Sequence, residues 1–176
     1  MADTEKLLEF LGLVGKLKKT ERSGWVRNGI PDSESVADHS FRTAILAFIL
    51  GDKLEVDGEK LLKMVLIHDL PESITGDITM HDKEYGRKSE IERKAMEKLC
   101  SSTENGNEIM SLWKEFEEGK SKESRLAHEL DKLEMLIQSF EYEKQYNIHL
   151  DEFWKDAKII KNEKLIELLE SFKKRK

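Results

Sequence analysis

Apolar residues recur along most of this chain at intervals of three and four positions, which is the spacing of one face of an α-helix. The longest predicted helix spans about residues 121–146. Its apolar stripe consists of Leu126, Leu130, Leu133, Ile137 and Phe140. No stretch sustains the alternation of apolar and polar residues that marks a half-buried strand. The pattern therefore predicts an all-α protein, built as a helical bundle.

Turn-forming residues separate further predicted helices. These run from about residue 4 to 17, from 35 to 52, from the turn at 56–58 to residue 69, and over 83–99, 108–117, 150–160 and 163–172. Pro71 lacks a backbone N–H and disfavours helical geometry at Leu70, so the third helix is expected to end before it. The glycine-containing stretch 20–33 is predicted to be a loop. We expect a single domain over residues 1–176, closed by C-terminal helices within 150–174.

Composition and charge exclude several classes of protein. The net charge of −6 argues against a broad nucleic-acid interface, which requires clustered positive charge. No apolar run approaches the length of a membrane span, and the acidic N-terminal residues are unlike a signal peptide. Cys100 is the single cysteine, so no internal disulfide and no thiolate metal cage can form. We therefore expect a cytoplasmic protein that binds neither a nucleic acid polymer nor a membrane.

The pair His68-Asp69 ends an apolar helical run and is the strongest chemical signal in the chain. Burying an imidazole and a carboxylate without partners is costly, and a divalent cation would satisfy both. His39 lies in the first turns of the second helix, and Asp131 lies beside the stripe of the longest helix. Each residue alone has an ordinary explanation, such as a local hydrogen bond or an ion pair with a neighbouring lysine. Together, two imidazoles and two carboxylates suit Mn²⁺, Co²⁺, Fe²⁺, Zn²⁺ or Mg²⁺.

Five blocks of sequence stand in order along the chain. They are Gly24-Trp25-Val26-Arg27, Glu34-Ser35-Val36-Ala37-Asp38-His39-Ser40, His68-Asp69-Leu70-Pro71-Glu72, Gly76-Asp77-Ile78 and Glu129-Leu130-Asp131-Lys132-Leu133-Glu134-Met135. This set resembles the HD-domain metal-dependent phosphohydrolases, and within them the 5′-deoxynucleotidase branch. The resemblance covers about residues 10–155. It implies an HD-domain helical bundle that removes the phosphate of deoxynucleoside 5′-monophosphates.

The resemblance also implies roles for individual residues. The catalytic metal would be held by His39, His68, Asp69 and Asp131. Glu72 would orient or deprotonate the attacking water, and Trp25 would pack against the deoxyribose. Asp77 would hydrogen-bond the sugar or help to hold a second, harder ion, together with Glu72 and the carbonyl of Ile78.

Two arginines are candidates for binding the phosphate. A guanidinium matches the geometry of an anionic phosphate, so Arg22 or Arg27 is expected to contact it. Bacterial members of the branch often carry arginine where this chain has Gly24, and that departure is why both arginines are considered. Thr79 also departs from the residue found in many relatives, so the sequence makes no prediction of base preference.

Other functions compete with this interpretation. Alarmone hydrolases share the HD domain but usually carry a second acid where this chain has Ser73. Cyclic-nucleotide hydrolases commonly use extra histidines, and this chain has five histidines in all. A non-catalytic binding module of the same fold would be expected to lose ligand positions, and all four are filled here. Members of the family tend to pair, so the resemblance also implies a homodimer.

Overall fold

The computed structural model describes residues 2–174; Met1, Arg175 and Lys176 lie outside the described residues. The α-helices are α1 (Ala2–Val14), α2 (Ser23–Arg27), α3 (Val36–Leu50), α4 (Gly58–Ile67), α5 (Glu72–Thr75), α6 (Lys88–Ser101), α7 (Gly106–Glu118), α8 (Lys122–Tyr146), α9 (Asp151–Trp154) and α10 (Glu163–Lys173). Short 3₁₀ helices lie at Gly15–Lys19, Gly51–Leu54, Tyr85–Arg87 and Lys155–Ile159. Every regular element within residues 2–174 is helical, so the all-α prediction is confirmed. In the same range, no helix is both long and apolar enough to cross a bilayer.

The chain packs into two compact units. The first comprises residues up to 40 together with 66–114, and the second comprises 41–65 together with residues from 115 onward. The core of the first unit is formed by Leu13, Leu17, Val36, Leu70, Met96, Leu99 and Trp113. The expectation of a single domain concerns how the two units combine, and it stays a prediction.

Helix α8 carries the core of the second unit. Its predicted apolar stripe is buried along its whole length: Leu126, Leu130, Leu133, Ile137 and Phe140. Ser121 caps this helix by accepting a hydrogen bond from the Ser124 N–H at 3.0 Å. Helix α10 packs against α8. Asn162 caps α10, because its side chain accepts from the Lys164 N–H at 3.0 Å.

The stretch 20–33 is not a simple loop, because it contains α2. The N–H of Ser23 donates to the Asp77 carboxylate at 2.8 Å, and the Ser23 hydroxyl donates to the Asp77 carbonyl at 2.7 Å. An antiparallel bridge between Glu21 and Ser35 joins the two ends of the stretch. The loop prediction was therefore wrong over residues 23–27. The prediction failed because Ser23 donates to Asp77, which lies 54 residues further along the chain, and a local sequence pattern carries no information about such a distant partner.

Helix α3 has apolar residues on two faces. Val36, Ala44 and Ala47 are buried. Four large apolar side chains are exposed instead, at Phe41 and at the positions four, seven and eight residues after it. We call them the α3 stripe: Phe41, Ile45, Phe48 and Ile49. The exposed fractions of the two phenylalanines are 69% and 73%. An exposed apolar stripe of this kind is typical of an interaction surface.

Candidate metal centre and active site

Two histidines and an aspartate come together in the first unit. His39 lies in the first turn of α3, and His68-Asp69 directly follows α4. One ligand atom from each residue lies within 4.8 Å of the other two. The Nε2 atoms of His39 and His68 lie 3.7 and 3.2 Å from Asp69 Oδ2. Both imidazoles are buried, so the group offers two nitrogen ligands and one oxygen ligand that fit a divalent metal ion.

Local sequence positions these ligands. At the start of α3, the N–H and hydroxyl of Ser35 donate to the Asp38 carboxylate at 2.9 and 2.7 Å, and the Asp38 N–H donates back to the Ser35 hydroxyl at 3.2 Å. This reciprocal cap fixes the start of α3 at Val36, three residues before His39. Helix α4 ends at Ile67, four residues before Pro71, as the sequence predicts. The two ligand segments therefore sit at the start of one helix and the end of another.

Asp69 is the charged centre of this group. Arg22 donates from Nη1 to Asp69 Oδ2 at 3.3 Å. Burial alone would favour the neutral acid, but the charge and hydrogen bond of His68, followed by the charges of Arg22 and His39, outweigh it. They hold the pKa of Asp69 below its usual value. The carboxylate is thus ionised near neutral pH, as a metal ligand must be.

Glu72 is a buried acid at the start of α5. Burial, and then the negative charges of Asp69 and Asp77, raise the pKa of Glu72 well above its ordinary value. Arg22 and Lys88 oppose this rise. The Oε2 atom of Glu72 has no hydrogen-bond partner among the described residues. A buried carboxyl with a raised pKa and an uncommitted oxygen suits a general base.

Asp77 fastens α2 to the loop that follows α5. It accepts hydrogen bonds from both the N–H and the hydroxyl of Ser23, through its carboxylate and its carbonyl respectively. The turn before it requires a left-handed backbone, and Gly76 supplies it with φ 74°. Since Arg22 directly precedes Ser23, this attachment holds Arg22 beside Asp69. A contact of Asp77 with a sugar or a second ion stays a prediction.

The structure separates the two candidate arginines. Arg22 contacts Asp69, in the candidate metal group. Arg27 is exposed and lines a cavity of about 810 Å³, whose wall also includes Asp77, Ile78 and Thr79. The structure therefore places Arg22 at the candidate metal group and Arg27 at the cavity, and a contact of either arginine with a phosphate stays a prediction.

Trp25 is packed inside the first unit. Only 1% of its surface is exposed, and its indole N–H donates to the Glu34 carboxylate at 2.9 Å. Glu34 is therefore a structural partner that the sequence did not single out, although it stands in the second of the five blocks. The predicted contact of Trp25 with a deoxyribose stays a prediction.

Asp131 lies in α8, in the second unit, and is largely buried. Its Oδ2 atom lies 3.2 Å from the Nζ atom of Lys132, which is the ordinary ion pair that the sequence also offers. Its assignment as a fourth metal ligand stays a prediction.

Lys88 is a functional candidate that the sequence did not reveal. Its Nζ atom donates to the Ile78 carbonyl at 3.0 Å and lies 3.4 Å from Glu92 Oε1. The available signal was the spacing of four between Lys88 and Glu92, which indicates only an ordinary helix pair. The contact with Ile78 depends on the fold of the loop after α5.

Comparisons with known proteins agree with this geometry. A family model described as HD domain matches residues 14–172. The chain is 43% identical over 148 residues to the 5′-deoxynucleotidase HDDC2 of Dictyostelium discoideum, covering 78% of each chain. It is 41% identical over 142 residues to the Danio rerio protein of the same name, covering 79% of this chain and 70% of that one. A solved structure of a conserved hypothetical protein from Pyrococcus furiosus superposes with a TM-score of 0.83 at 35% identity, covering 95% of this chain and 99% of that one.

Proposed function

This chain belongs to the HD-domain family, and from that membership and the geometry of its site we propose that it is a metal-dependent 5′-deoxynucleotidase. The observation that carries the proposal is the buried group of His39, His68 and Asp69, with Glu72 beside it. The curated relatives named 5′-deoxynucleotidase support deoxynucleoside 5′-monophosphates as the substrate class. A reducing, cytoplasmic location fits the free thiol of Cys100 and is part of the proposal.

The chain's own residues divide the work of phosphate removal. His39, His68 and Asp69 would hold the ion, with Asp131 as the proposed fourth ligand. A bound divalent cation supplies positive charge for the phosphoryl oxygens and lowers the pKa of a bound water. Glu72 accepts the proton of the attacking water, since its Oε2 atom has no other partner among the described residues. Phosphoryl transfer otherwise needs positioning and charge, which Arg22 provides.

Phosphate release from a panel of nucleotides tests the proposal. The purified protein is stripped with a chelator, and deoxy- and ribonucleoside 5′-monophosphates are offered with Mn²⁺, Co²⁺, Zn²⁺, Fe²⁺ or Mg²⁺ added singly. We expect metal-dependent release from the deoxynucleotides, and the panel ranks ions and bases at the same time. A folded protein that binds metal and releases no phosphate would contradict the proposal and direct attention to other phosphate esters or a binding role.

Replacing Arg22 by alanine is expected to lower kcat/KM for the preferred nucleotide by roughly 10–100-fold, because a hydrogen bond to a charged group is worth about 1.5–3 kcal/mol. Arg27→Ala is the matched control, since that side chain lies at the cavity and not at Asp69. We expect it to change kcat/KM much less. Steady-state kinetics, with metal content measured in both variants, checks the difference. A larger loss from Arg27→Ala would reverse the assignment of the two arginines.

We also propose that the α3 stripe is the surface through which two copies of the chain pair. Replacing both Phe41 and Phe48 by serine is expected to halve the mass measured by light scattering after gel filtration. Burying large apolar side chains drives such association, and these two are the most exposed members of the stripe. Ile166→Ser on α10, which is exposed but outside the stripe, is the control. A monomeric parent protein, or a double variant that still pairs, would refute this interface.

A further inference from the structure

Arg42 joins α3 to α8 within the second unit, through all three nitrogens of its guanidinium. Its Nε and Nη2 atoms each lie 2.7 Å from Glu134 Oε1. Nη2 also donates to Gln138 Oε1 at 2.6 Å, and Nη1 donates to Glu141 Oε2 at 2.7 Å. We call Arg42 and its three acceptors the α3–α8 clamp. A planar guanidinium bound in this way holds its partners in one geometry, which a lysine ammonium does not.

The clamp begins at a buried carboxylate. Glu134 is fully buried, Gln138 is half-buried and Glu141 is exposed, so the acceptors lead along α8 from the core to the surface. A buried charge is costly unless a partner of opposite charge balances it. The pair of Arg42 and Glu134 therefore fixes where α8 lies along α3.

Each of these helices carries a proposed metal ligand one turn before the clamp. His39 precedes Arg42 by three positions on α3, and Asp131 precedes Glu134 by three positions on α8. Residues three or four positions apart lie on the same face of a helix. The acceptors of the clamp and the proposed ligand of α8 therefore form a single polar stripe: Asp131, Glu134, Gln138 and Glu141.

We propose that the α3–α8 clamp positions Asp131 for the metal, with Arg42 and Glu134 as its central pair. The inference rests on the proposed function, in which Asp131 is the fourth ligand. Metal–ligand distances tolerate changes of only about 0.2 Å, so a small slide or rotation of α8 would withdraw the Asp131 carboxylate. Arg42 is then a positioning residue, which acts through Asp131 and touches neither the ion nor the substrate. An ion pair that served folding alone would change the melting temperature and leave the metal affinity unaltered.

Metal affinity tests this inference without any activity measurement. The metal-free protein is titrated with Mn²⁺ until each variant is saturated, and free Mn²⁺ is measured by electron paramagnetic resonance. The parent protein is compared with Arg42→Met, Arg42→Lys and Glu134→Gln. Arg93→Met is the matched control, because Arg93 pairs with Glu97 at the surface of α6. Circular dichroism and thermal unfolding establish that each variant is folded.

Arg42→Met is expected to weaken Mn²⁺ binding by roughly 10–100-fold, which is the usual loss when a group that orients a metal ligand is removed. Arg42→Lys and Glu134→Gln should weaken it less, because each keeps part of the clamp, and they decide the question if Arg42→Met does not fold. Arg93→Met should bind Mn²⁺ as tightly as the parent protein. Parental affinity in the folded variants of Arg42 and Glu134 would overturn the inference.

A double-mutant cycle with Asp131→Asn shows whether the clamp acts through Asp131. We expect Arg42→Met to weaken Mn²⁺ binding no further in the Asp131→Asn protein, because no ligand is left there to position. An equal loss in both backgrounds would overturn the inference and leave the proposed function standing. If Asp131→Asn binds Mn²⁺ as tightly as the parent protein, the proposed fourth ligand is wrong, and this inference fails with it. A parent protein that binds no divalent ion would refute the metal site itself.

Discussion

Asp69→Ala is expected to remove metal binding and to lower kcat/KM for deoxynucleoside 5′-monophosphates by at least about 10³-fold, because the charge supplied by a bound cation is worth several kcal/mol. The reason lies in the position of a single atom. Asp69 Oδ2 lies 3.2 Å from His68 Nε2, 3.7 Å from His39 Nε2 and 3.3 Å from Arg22 Nη1. Its loss removes the oxygen ligand and leaves three nitrogen groups without their common acceptor.

Metal content and phosphate release, measured together, check this prediction. Asp69→Asn is the informative companion, because it keeps the shape of the side chain and removes only its charge. We expect it to lose metal almost as completely as the alanine variant. Glu90→Ala is the control, since Glu90 is an exposed acid on α6. Full activity in Asp69→Ala would place the metal elsewhere and refute the proposed site.

The Asp69 variants should also change how the stability of the metal-free protein depends on pH. The folded protein holds the pKa of Asp69 below its unfolded value of about 3.9. This carboxylate therefore stabilises the fold at pH values above the unfolded pKa, and the contribution disappears as pH falls through the folded pKa. Asp69→Asn should accordingly lower the melting temperature at neutral pH and change it less in strong acid.

Glu72→Gln is expected to lower kcat by roughly 10²–10⁴-fold while the protein keeps its metal, because a general base contributes about that much. The same substitution should raise the melting temperature of the metal-free protein at neutral pH. Burial and the charges of Asp69 and Asp77 raise the pKa of Glu72 in the folded state above the unfolded value of about 4.3. The folded protein therefore binds this proton more tightly, and its free energy of unfolding falls as pH rises above the unfolded pKa. Glutamine never ionises, so the variant avoids that loss.

Thermal unfolding of the metal-free parent and variant between pH 4 and 8 checks the gain in stability, and this pH range brackets the unfolded pKa of about 4.3. Kinetics and metal content, measured on the metal-loaded proteins, check the loss of kcat. The stability difference should be small at the acid end and grow with pH. Glu84→Gln, at an exposed acid outside α5, controls for the loss of a negative charge. An active Glu72→Gln protein would exclude Glu72 as the base, and a destabilised one would contradict the raised pKa.

The loss of activity and the gain in stability have the same physical origin. A carboxyl kept in a buried place beside two other acids destabilises the metal-free fold when it ionises. The same surroundings bring its pKa closer to the pH at which a proton acceptor is useful. Metal binding at Asp69 would relieve part of this repulsion, so the stability measurement on Glu72 uses the stripped protein, whereas kcat is measured with the metal bound.

The helices are largely determined by local sequence. The stripe of α8 is buried at every predicted position, and α10 begins at Glu163, where the pattern places it. The end of α4 before Pro71 was likewise predicted. These features depend on side-chain periodicity and on caps whose partners lie within a few residues, so one-dimensional information is enough. The pairing of His68 with Asp69 is local for the same reason.

Contacts between distant residues required the tertiary structure. Helix α2 exists because Asp77 caps Ser23 from 54 residues away, and that attachment places Arg22, rather than Arg27, beside Asp69. In the sequence, Lys88 is only one partner of a possible helix pair. Its hydrogen bond to the Ile78 carbonyl depends on the fold of the loop after α5. The apolar residues of α3 show the same limit, because their periodicity predicts a helix face but not which face is covered. By itself, the sequence determined the longer helices, the family and the chemistry of the ligands, since these depend on residue type and short spacing. Only the tertiary structure decided which charges meet, because burial and through-space distance set the pKa of Glu72 and the partners of Arg22 and Lys88.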